Sequence, residues 1–183
     1  MNVLASKGQL RASFFRWALF TVPSCLLLGF LSGVVGGSPD SLWFESLIKP
    51  DIFPDPKWFG IVWSILYAMM GVALALVCAA WGARGRTAAL VAFGVQFALN
   101  LTWSPVFFGM HQITAGLVVI GLLGAALAVT IALFWRVRKL AAVLLLPYLA
   151  WVCFATLLNY EFLQANPGAD GKDPTRAVQR IEM

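Results

Sequence analysis

Five long apolar runs constrain this chain more than any other feature of its sequence. They cover residues 14–35, 58–81, 87–108, 113–135 and 140–163. Each run is close to the ~20 residues that an α-helix needs to cross a hydrocarbon core of about 30 Å. Because a bilayer offers no water to backbone groups, segments of this kind must satisfy their own hydrogen bonds as helices. The sequence therefore predicts an all-α, multi-pass integral membrane protein built as a five-helix transmembrane bundle.

The composition agrees with a membrane protein and argues against a nucleic-acid partner. Of the 183 residues, 61% are hydrophobic and 11% are charged, and the mean hydropathy is +0.83. A soluble domain carries about 25% charged residues. The net charge of +5 comes from basic residues that stand beside the apolar runs. Orientation in the bilayer explains such charges better than a nucleic-acid surface does.

The five runs form one expected domain, residues 14–163, between a basic segment at 1–13 and a polar tail at 164–183 that we expect to be disordered. The linkers between the last four runs are short, which predicts antiparallel neighbouring helices. The first run also resembles a secretory signal. Its core from residue 17 to residue 35 is longer than the 7–15 residues usual for a signal, so we favour a retained helix.

The distribution of basic residues predicts which end faces the cytoplasm. Three lie before or at the start of the first run, two follow the second and three follow the fourth. On the other side, two lie between the first and second runs, none follows the third, and three lie in the tail. Lysine and arginine are enriched in cytoplasmic linkers, so we expect the N-terminus inside and the C-terminus outside.

The residue types that usually hold metals or perform catalysis are sparse. Cys25, Cys78 and Cys153 lie inside apolar runs without C-x-x-C spacing, so they predict neither a disulfide framework nor a zinc site. His111 is the only histidine, and one ligand does not make a stable metal site. We therefore expect no metal and no resident cofactor, and no acid–base or nucleophile–base pair of the usual kind is evident.

A proline-broken loop separates the first two runs. Its prolines prevent a continuous helix over residues 49–57; they are Pro50, Pro54 and Pro56. Trp43 and Trp58 bracket the loop with large amphipathic rings. Such rings suit a lid over a ligand pocket, and they equally suit an interfacial aromatic belt without a ligand.

The second and third runs carry polar and aromatic residues at helical spacing. Trp63 and Tyr67 share one face of the second, and their N–H and O–H groups need partners away from water. The third run places two amides and two rings on one stripe, namely Gln96, Asn100, Trp103 and Phe107. We expect the amides to face the bundle interior, where they form either interhelical hydrogen bonds or contacts to a ligand.

The fifth run repeats this pattern. Tyr148, Trp151, Ala155 and Asn159 fall along one face, and the small Ala155 leaves a gap between larger side chains. That gap could be filled by a ligand or by a neighbouring helix. The fourth run is a smooth series of small and aliphatic residues, which suits helix packing, a subunit interface or lipid exposure.

Several blocks in order resemble the TspO/MBR family of tryptophan-rich sensory and translocator proteins. They are WFESLIKP at 43–50, the turn at 54–56, VWSILYAMMG at 62–71, FALNLTWSPVFFG at 97–109 and PYLAWVCFATLLNY at 147–160. The resemblance implies a five-helix bundle, often a homodimer. It also implies a cavity beneath the first loop that takes tetrapyrroles such as protoporphyrin, sterols and synthetic aromatic ligands.

Carried over by position, the resemblance assigns a role to each of several residues. Trp43 and Phe44 would cap the cavity, Trp63 and Asn100 would offer polar contacts, and Trp151 and Ala155 would form a wall. The stripes add further candidates to the binding set: Tyr67, Gln96, Trp103 and Phe107.

Two departures from the family pattern concern the lid and sterols. Asp55 separates Pro54 from Pro56, where the family usually has adjacent prolines, so a different lid shape is expected. Tyr160 is followed by EFLQAN, which lacks the basic residue of the C-terminal cholesterol pattern.

The expected function is therefore a membrane receptor for porphyrin-type molecules, with sterol-like lipids as a further partner class, that regulates or buffers porphyrin metabolism or a stress response. Light-dependent oxidative degradation of porphyrin and passive carriage of lipophilic ligands are the alternatives. We expect metal-free porphyrin to bind more tightly than haem, because no residue offers convincing axial ligation to iron.

Overall fold

The structure is a computed structural model that describes residues 7–37 and 41–172. Seven α-helices lie in these residues, with one π-helical turn, Pro105–Gly109, continuing the fourth of them. They are α1 (Lys7–Gly36), α2 (Leu42–Ser46), α3 (Lys57–Cys78), α4 (Arg86–Ser104), α5 (Ile113–Val137), α6 (Lys139–Leu144) and α7 (Leu146–Ala165). Within the described ranges, five helical segments are long and apolar enough to cross a membrane, which confirms the predicted membrane bundle.

The spans close into a ring whose order differs from their order in the chain. Helix α1 packs on α3, α3 packs on α6, the α6–α7 span packs on α5, α5 packs on α4, and α4 returns to α1. The order around the ring is thus first, second, fifth, fourth, third. The second span also contacts the third across the bundle, so residues from α1, α3 and α4 can meet on one side of it.

Glycines bring α1 and α3 into backbone contact. A Cβ added to Gly71 would lie 2.5 Å from the Cα of Val22, so only glycine permits this approach. Thr21 Oγ1 donates a hydrogen bond to the Gly71 carbonyl at 2.7 Å. Further along α1, Gly29 packs directly against the Tyr67 ring, whereas Gly33 faces open space. In α1, Gly29 therefore serves a close contact and Gly33 an opening.

Two prolines interrupt spans. Pro105 begins the π-helical turn, which the Met110 amide closes by bonding to the Pro105 carbonyl at 2.9 Å, so the third span ends near the predicted point. The predicted fifth span is present as Lys139–Ala165, and a turn at Leu145 divides it into α6 and α7. Pro147 has no N–H to donate to the carbonyl four residues earlier, so the helical ladder cannot continue there.

The segment after the fifth span is more ordered than expected. Helix α7 runs to Ala165, and residues 166–172 form turns that bond to the linkers. Polar side chains here satisfy backbone groups of other segments, which a disordered tail would not do. Residues 173–183, in which disorder is also predicted, lie outside the described residues. At the other end, α1 already begins at Lys7, inside the predicted N-terminal segment.

Two apolar clusters stabilise the bundle. The larger one fills the centre, with Met70, Leu127, Phe134 and Val152 fully buried. The second is an aromatic cluster beneath the loop between α1 and α3; it contains Trp43, Phe44, Leu47, Phe107, Ile113, Leu158 and Phe162. The loop is therefore packed onto the bundle as part of its core.

Candidate functional site

A cavity of about 470 Å³ lies between α1, α3 and α4 beneath the loop. Its volume falls within the range of about 300–1,000 Å³ typical of small-molecule sites. Five of the ten predicted binding residues line it: Phe44, Trp63, Tyr67, Asn100 and Trp103. Segments far apart in the sequence thus converge on one apolar chamber with a few polar groups.

The other five predicted residues lie behind or beside this surface. Trp43 and Phe107 are buried in the aromatic cluster, with 3% and 2% of their surface exposed. Gln96 is fully buried one turn below Asn100 and does not line the cavity. Ala155 is buried in the central cluster, and Trp151 lines a separate apolar groove between α3 and α7. Ligand contact by these five stays a prediction.

A hydrogen-bonded triad fixes the polar wall of the cavity. Tyr67 donates its hydroxyl proton to Asn100 Oδ1 at 2.8 Å, and Asn100 Nδ2 donates to the Tyr148 hydroxyl at 2.9 Å. The polar partner predicted for Tyr67 is thereby confirmed. Because both sides of the amide are used, its orientation is set, and one acceptor lone pair of Asn100 remains for a ligand.

A second polar contact orients Trp103. Its Nε1 donates to Asn159 Oδ1 at 3.2 Å, and Asn159 Nδ2 donates in turn to the Ile113 carbonyl at 3.0 Å. The Trp103 ring stacks on Phe107 with centroids 5.1 Å apart and an angle of 20° between the rings. Trp103 thus presents a fixed aromatic face, since its polar edge and its far side are both occupied.

The cavity has an open side between α1 and α3. Of its lining residues, Phe30 and Gly33 on α1 and Gly60 and Ser64 on α3 are exposed. A Cβ added to either glycine would meet nothing within 4 Å. Both helices are long and apolar enough to be membrane spans, so this opening lies on the outer surface of the bundle.

The roof is the segment 42–48, which we call the lid. Helix α2 in the lid begins with Ser41 Oγ accepting from the Phe44 amide at 3.2 Å. Lys49 Nζ donates to three carbonyls near its end, those of Phe44, Glu45 and Leu47, and lies 4.7 Å from the Phe44 ring centroid. Burial lowers the pKa of Lys49, and the Glu45 carboxylate partly offsets that effect. The ammonium group thus caps the lid helix.

The inserted Asp55 stands just before α3, whose N-cap residue is Pro56. Its Oδ1 accepts from the Lys57 amide at 3.1 Å, and its Oδ2 lies 2.9 Å from Lys57 Nζ. The Lys57 side chain, followed by the Lys57 backbone N–H, holds the pKa of the Asp55 carboxyl below its ordinary value. The departure from adjacent prolines therefore places an anionic side chain at the N-terminus of α3, where the helix dipole favours negative charge.

Several polar atoms are left for ligand contact or remain buried without partners. Trp63 Nε1 and Ser104 Oγ belong to lining residues and bond to no described residue. Trp43 Nε1, both amide atoms of Gln96 and Trp151 Nε1 are buried and also lack a partner within the described residues. No charged side chain and no His, Cys or Met lines the cavity in the described part of the chain. The described lining is therefore largely apolar, with a few hydrogen-bonding groups and no charged side chain.

Several residues that shape this site were not among the predicted binding residues. Ser104 and Phe108 line it, while Tyr148 and Asn159 orient the lining residues Asn100 and Trp103. Tyr148 and Asn159 stand on the predicted stripe of the fifth run, so their polarity inside an apolar segment was an available signal. Ser104 had no such signal, because serine is common near the ends of helices.

Comparisons with known proteins agree with this architecture. The profile of the TspO/MBR family matches residues 21–164, which extends the resemblance into the first helix. The tryptophan-rich protein TspO of Chlorobaculum tepidum is 45% identical over 145 residues, covering 78% of this chain and 91% of that protein. The translocator protein of Homo sapiens is 42% identical over 135 residues, covering 70% and 78%, respectively. The tryptophan-rich sensory protein of Cereibacter sphaeroides is 36% identical over 129 residues, also covering 70% and 78%. With the family profile spanning all five membrane segments and the bundle observed as expected, this chain belongs to the TspO/MBR family.

Proposed function

We propose that this protein is a membrane receptor for tetrapyrroles of the protoporphyrin type and for other flat lipophilic molecules, through which it regulates or buffers porphyrin metabolism or a stress response. The observation that carries the proposal is the cavity of about 470 Å³, where Trp63, Trp103 and Phe44 supply aromatic faces beside the Asn100 amide. A planar apolar ring stacks well on such faces, and a few polar groups set its orientation.

The opening between α1 and α3 supports entry from the bilayer. Porphyrins and sterol-like molecules partition into lipid, so a route past Gly33 and Gly60 avoids a passage through water. The same route fits passive exchange of ligands with the membrane, which is the carrier function considered above. Sterol binding stays a prediction of lower rank, because the chain lacks the C-terminal cholesterol pattern.

The lining also supports the preference for a metal-free ring. Tyr67 is the lining residue whose oxygen could approach a haem iron, and its hydroxyl is engaged with Asn100. His111 stacks on Trp43, with 4.6 Å between ring centroids, and does not line the chamber. We therefore expect protoporphyrin to bind more tightly than haem.

Titration of the purified protein in lipid nanodiscs with protoporphyrin tests the proposal. Trp63→Ala removes a lining indole, and Trp81→Ala removes an exposed indole outside the cavity as a matched control. Stacking of a nucleobase on an aromatic side chain is worth about 1–3 kcal/mol, and a loss of that size for the porphyrin ring would weaken binding by roughly 5-fold to 150-fold. Equal affinity of both variants and wild type would refute the cavity as the binding site. If illumination of the complex produces a new bilin-like absorption, the protein degrades porphyrin oxidatively and does not only bind it.

Orientation and assembly belong to the same proposal. The five described spans put the two ends of the bundle on opposite sides of the membrane. From the basic residues we propose that the N-terminus is inside and the C-terminus outside, and protection of single introduced cysteines from an impermeant thiol reagent tests this. A homodimer stays a prediction, for which cross-linking in the bilayer is the test.

A further inference from the structure

The residue that follows α7 is bonded to the lid. Asn166 Oδ1 accepts from the Ile48 amide at 2.8 Å, and Asn166 Nδ2 donates to the Ile48 carbonyl at 3.0 Å and to the Phe162 carbonyl at 3.0 Å. One side chain thus satisfies both backbone groups of a lid residue 118 positions away. Asn166 is itself 8% exposed, so these bonds are shielded from water.

The rest of this segment is anchored at a second place. Asp170 Oδ1 accepts from the Ile113 amide at 2.6 Å and from the Thr114 amide at 3.2 Å, which caps the first turn of α5. The Gly171 amide donates to the His111 carbonyl at 2.8 Å. Residues 166–172, which we call the C-terminal strap, therefore run from the lid to the linker before α5.

A ring contact joins the lid to His111, which lies in the linker to which the strap is bonded. His111, held at a φ of +58°, stacks on the indole of Trp43 with centroids 4.6 Å apart. Ala169 of the strap packs against the aromatic cluster that contains Trp43 and Phe44. The lid is thus in contact with the strap itself and with the linker to which the strap is bonded.

The lid needs such support because its own structure is short. Helix α2 has five residues, far fewer than the 12–15 that make an isolated helix even marginally stable. Prolines follow it at positions 50, 54 and 56, so no long helix can extend from it. Its position depends on the aromatic cluster, on Lys49 and on the bonds from Asn166.

We propose that the C-terminal strap is a latch that holds the lid closed over the cavity, and that Asn166 is the positioning residue that sets the rate at which a bound ligand leaves. This inference rests on the proposed function, since it concerns the same cavity. Phe44 is the link between the two: it lines the cavity, and its ring lies 5.4 Å from that of Phe162, one turn before Asn166.

The first arm of the test needs no ligand. Hydrogen exchange of the Ile48 amide is followed by mass spectrometry in wild type, Asn166→Ala and Gln164→Ala. Gln164 is an exposed amide two residues away that makes no hydrogen bond in the described structure, which makes it a matched control. Two lost hydrogen bonds predict exchange faster by about tenfold or more in Asn166→Ala and unchanged exchange in Gln164→Ala. Equal exchange in all three would overturn the latch.

The second arm measures association and dissociation of protoporphyrin by stopped-flow fluorescence. We expect dissociation from Asn166→Ala to be faster by about tenfold, with a smaller change in association, because the bonds act on the closed state. Asp170→Ala, which frees the other end of the strap, should shift dissociation in the same direction. If Asn166→Ala does not fold, Asp170→Ala carries both arms.

The two arms separate failure of the latch from failure of the proposed function. If wild type does not bind protoporphyrin, the proposed function fails while the exchange of Ile48 still decides whether the strap holds the lid. If wild type binds but dissociation is unchanged in a variant whose lid exchanges faster, the lid does not control release and the inference is overturned. Faster exchange together with faster dissociation supports it.

Discussion

Replacing Gly29 with alanine tests how the cavity wall is packed. A Cβ at this position would lie 2.6 Å from Tyr67 Cδ2 and closer still to two other ring atoms, so the ring must move. That movement pulls the Tyr67 hydroxyl from Asn100, to which it now bonds at 2.8 Å. Overpacking costs about 1–3 kcal/mol and the lost hydrogen bond about 1 kcal/mol. The helical preference of alanine over glycine offsets up to about 1 kcal/mol. We expect Gly29→Ala to destabilise the protein by about 1–3 kcal/mol.

Gly33→Ala is the matched control, because it lies one turn further along the same helix and its Cβ would meet nothing within 4 Å. It should gain the helical preference without a clash and be neutral or more stable by up to about 1 kcal/mol. For a protein of this size each kcal/mol shifts the melting temperature by about 2–4 °C, so the two variants should differ by at least about 2 °C in thermal unfolding followed by circular dichroism. Protoporphyrin affinity should also fall in Gly29→Ala, because the displaced Tyr67 ring borders the cavity. Equal melting temperatures for the two variants would refute the close contact between α1 and α3.

Three further predictions concern polar groups. Gln96→Met removes a fully buried amide that has no partner among the described residues. This variant should therefore have an unfolding free energy higher by about 1–3 kcal/mol and an unchanged affinity for protoporphyrin. Weaker binding would instead place the amide against the ligand. Asn159→Ala leaves Trp103 Nε1 without its acceptor, so the unfolding free energy should fall by about 1–3 kcal/mol. In a background that retains Trp103 as its single tryptophan, the same change should shift the fluorescence emission. An unchanged emission would contradict the contact. Because the pKa of Asp55 is lowered in the folded state by Lys57, its contribution is present above the unfolded pKa and is lost as pH falls through the folded pKa. Asp55→Ala should therefore show a smaller drop in melting temperature than wild type between about pH 5 and about pH 3. Equal drops would refute a stabilising interaction between Asp55 and Lys57.

The stripes in the sequence predicted which residues face inward, but they did not predict which of these reach the cavity. Gln96 and Asn100 share a helix face and both are buried, yet Asn100 lines the chamber and Gln96 does not. Helical periodicity fixes the direction of a side chain. It does not fix where along their length two neighbouring helices separate to leave a cavity. That position depends on close contacts between helices, such as the one between Gly71 and Val22.

The strap was not predictable from the sequence for a related reason. Asn166 and Asp170 stand in a polar, glycine-containing and proline-containing stretch that by composition resembles a disordered tail. Their partners are backbone groups of Ile48 and Ile113, and a backbone group carries no signal in the sequence. Only the folded ring of spans brings these groups within hydrogen-bonding distance.

The sequence alone determined the membrane location, the number of spans and the broken loop, because each follows from local hydrophobicity or from the missing N–H of proline. The tertiary structure decided the order of the spans around the ring, the open side of the cavity and the pairing of Tyr67, Asn100 and Tyr148. These features depend on how closely particular helices approach one another. That distance is set by packing among residues far apart in the chain, and no local pattern encodes it.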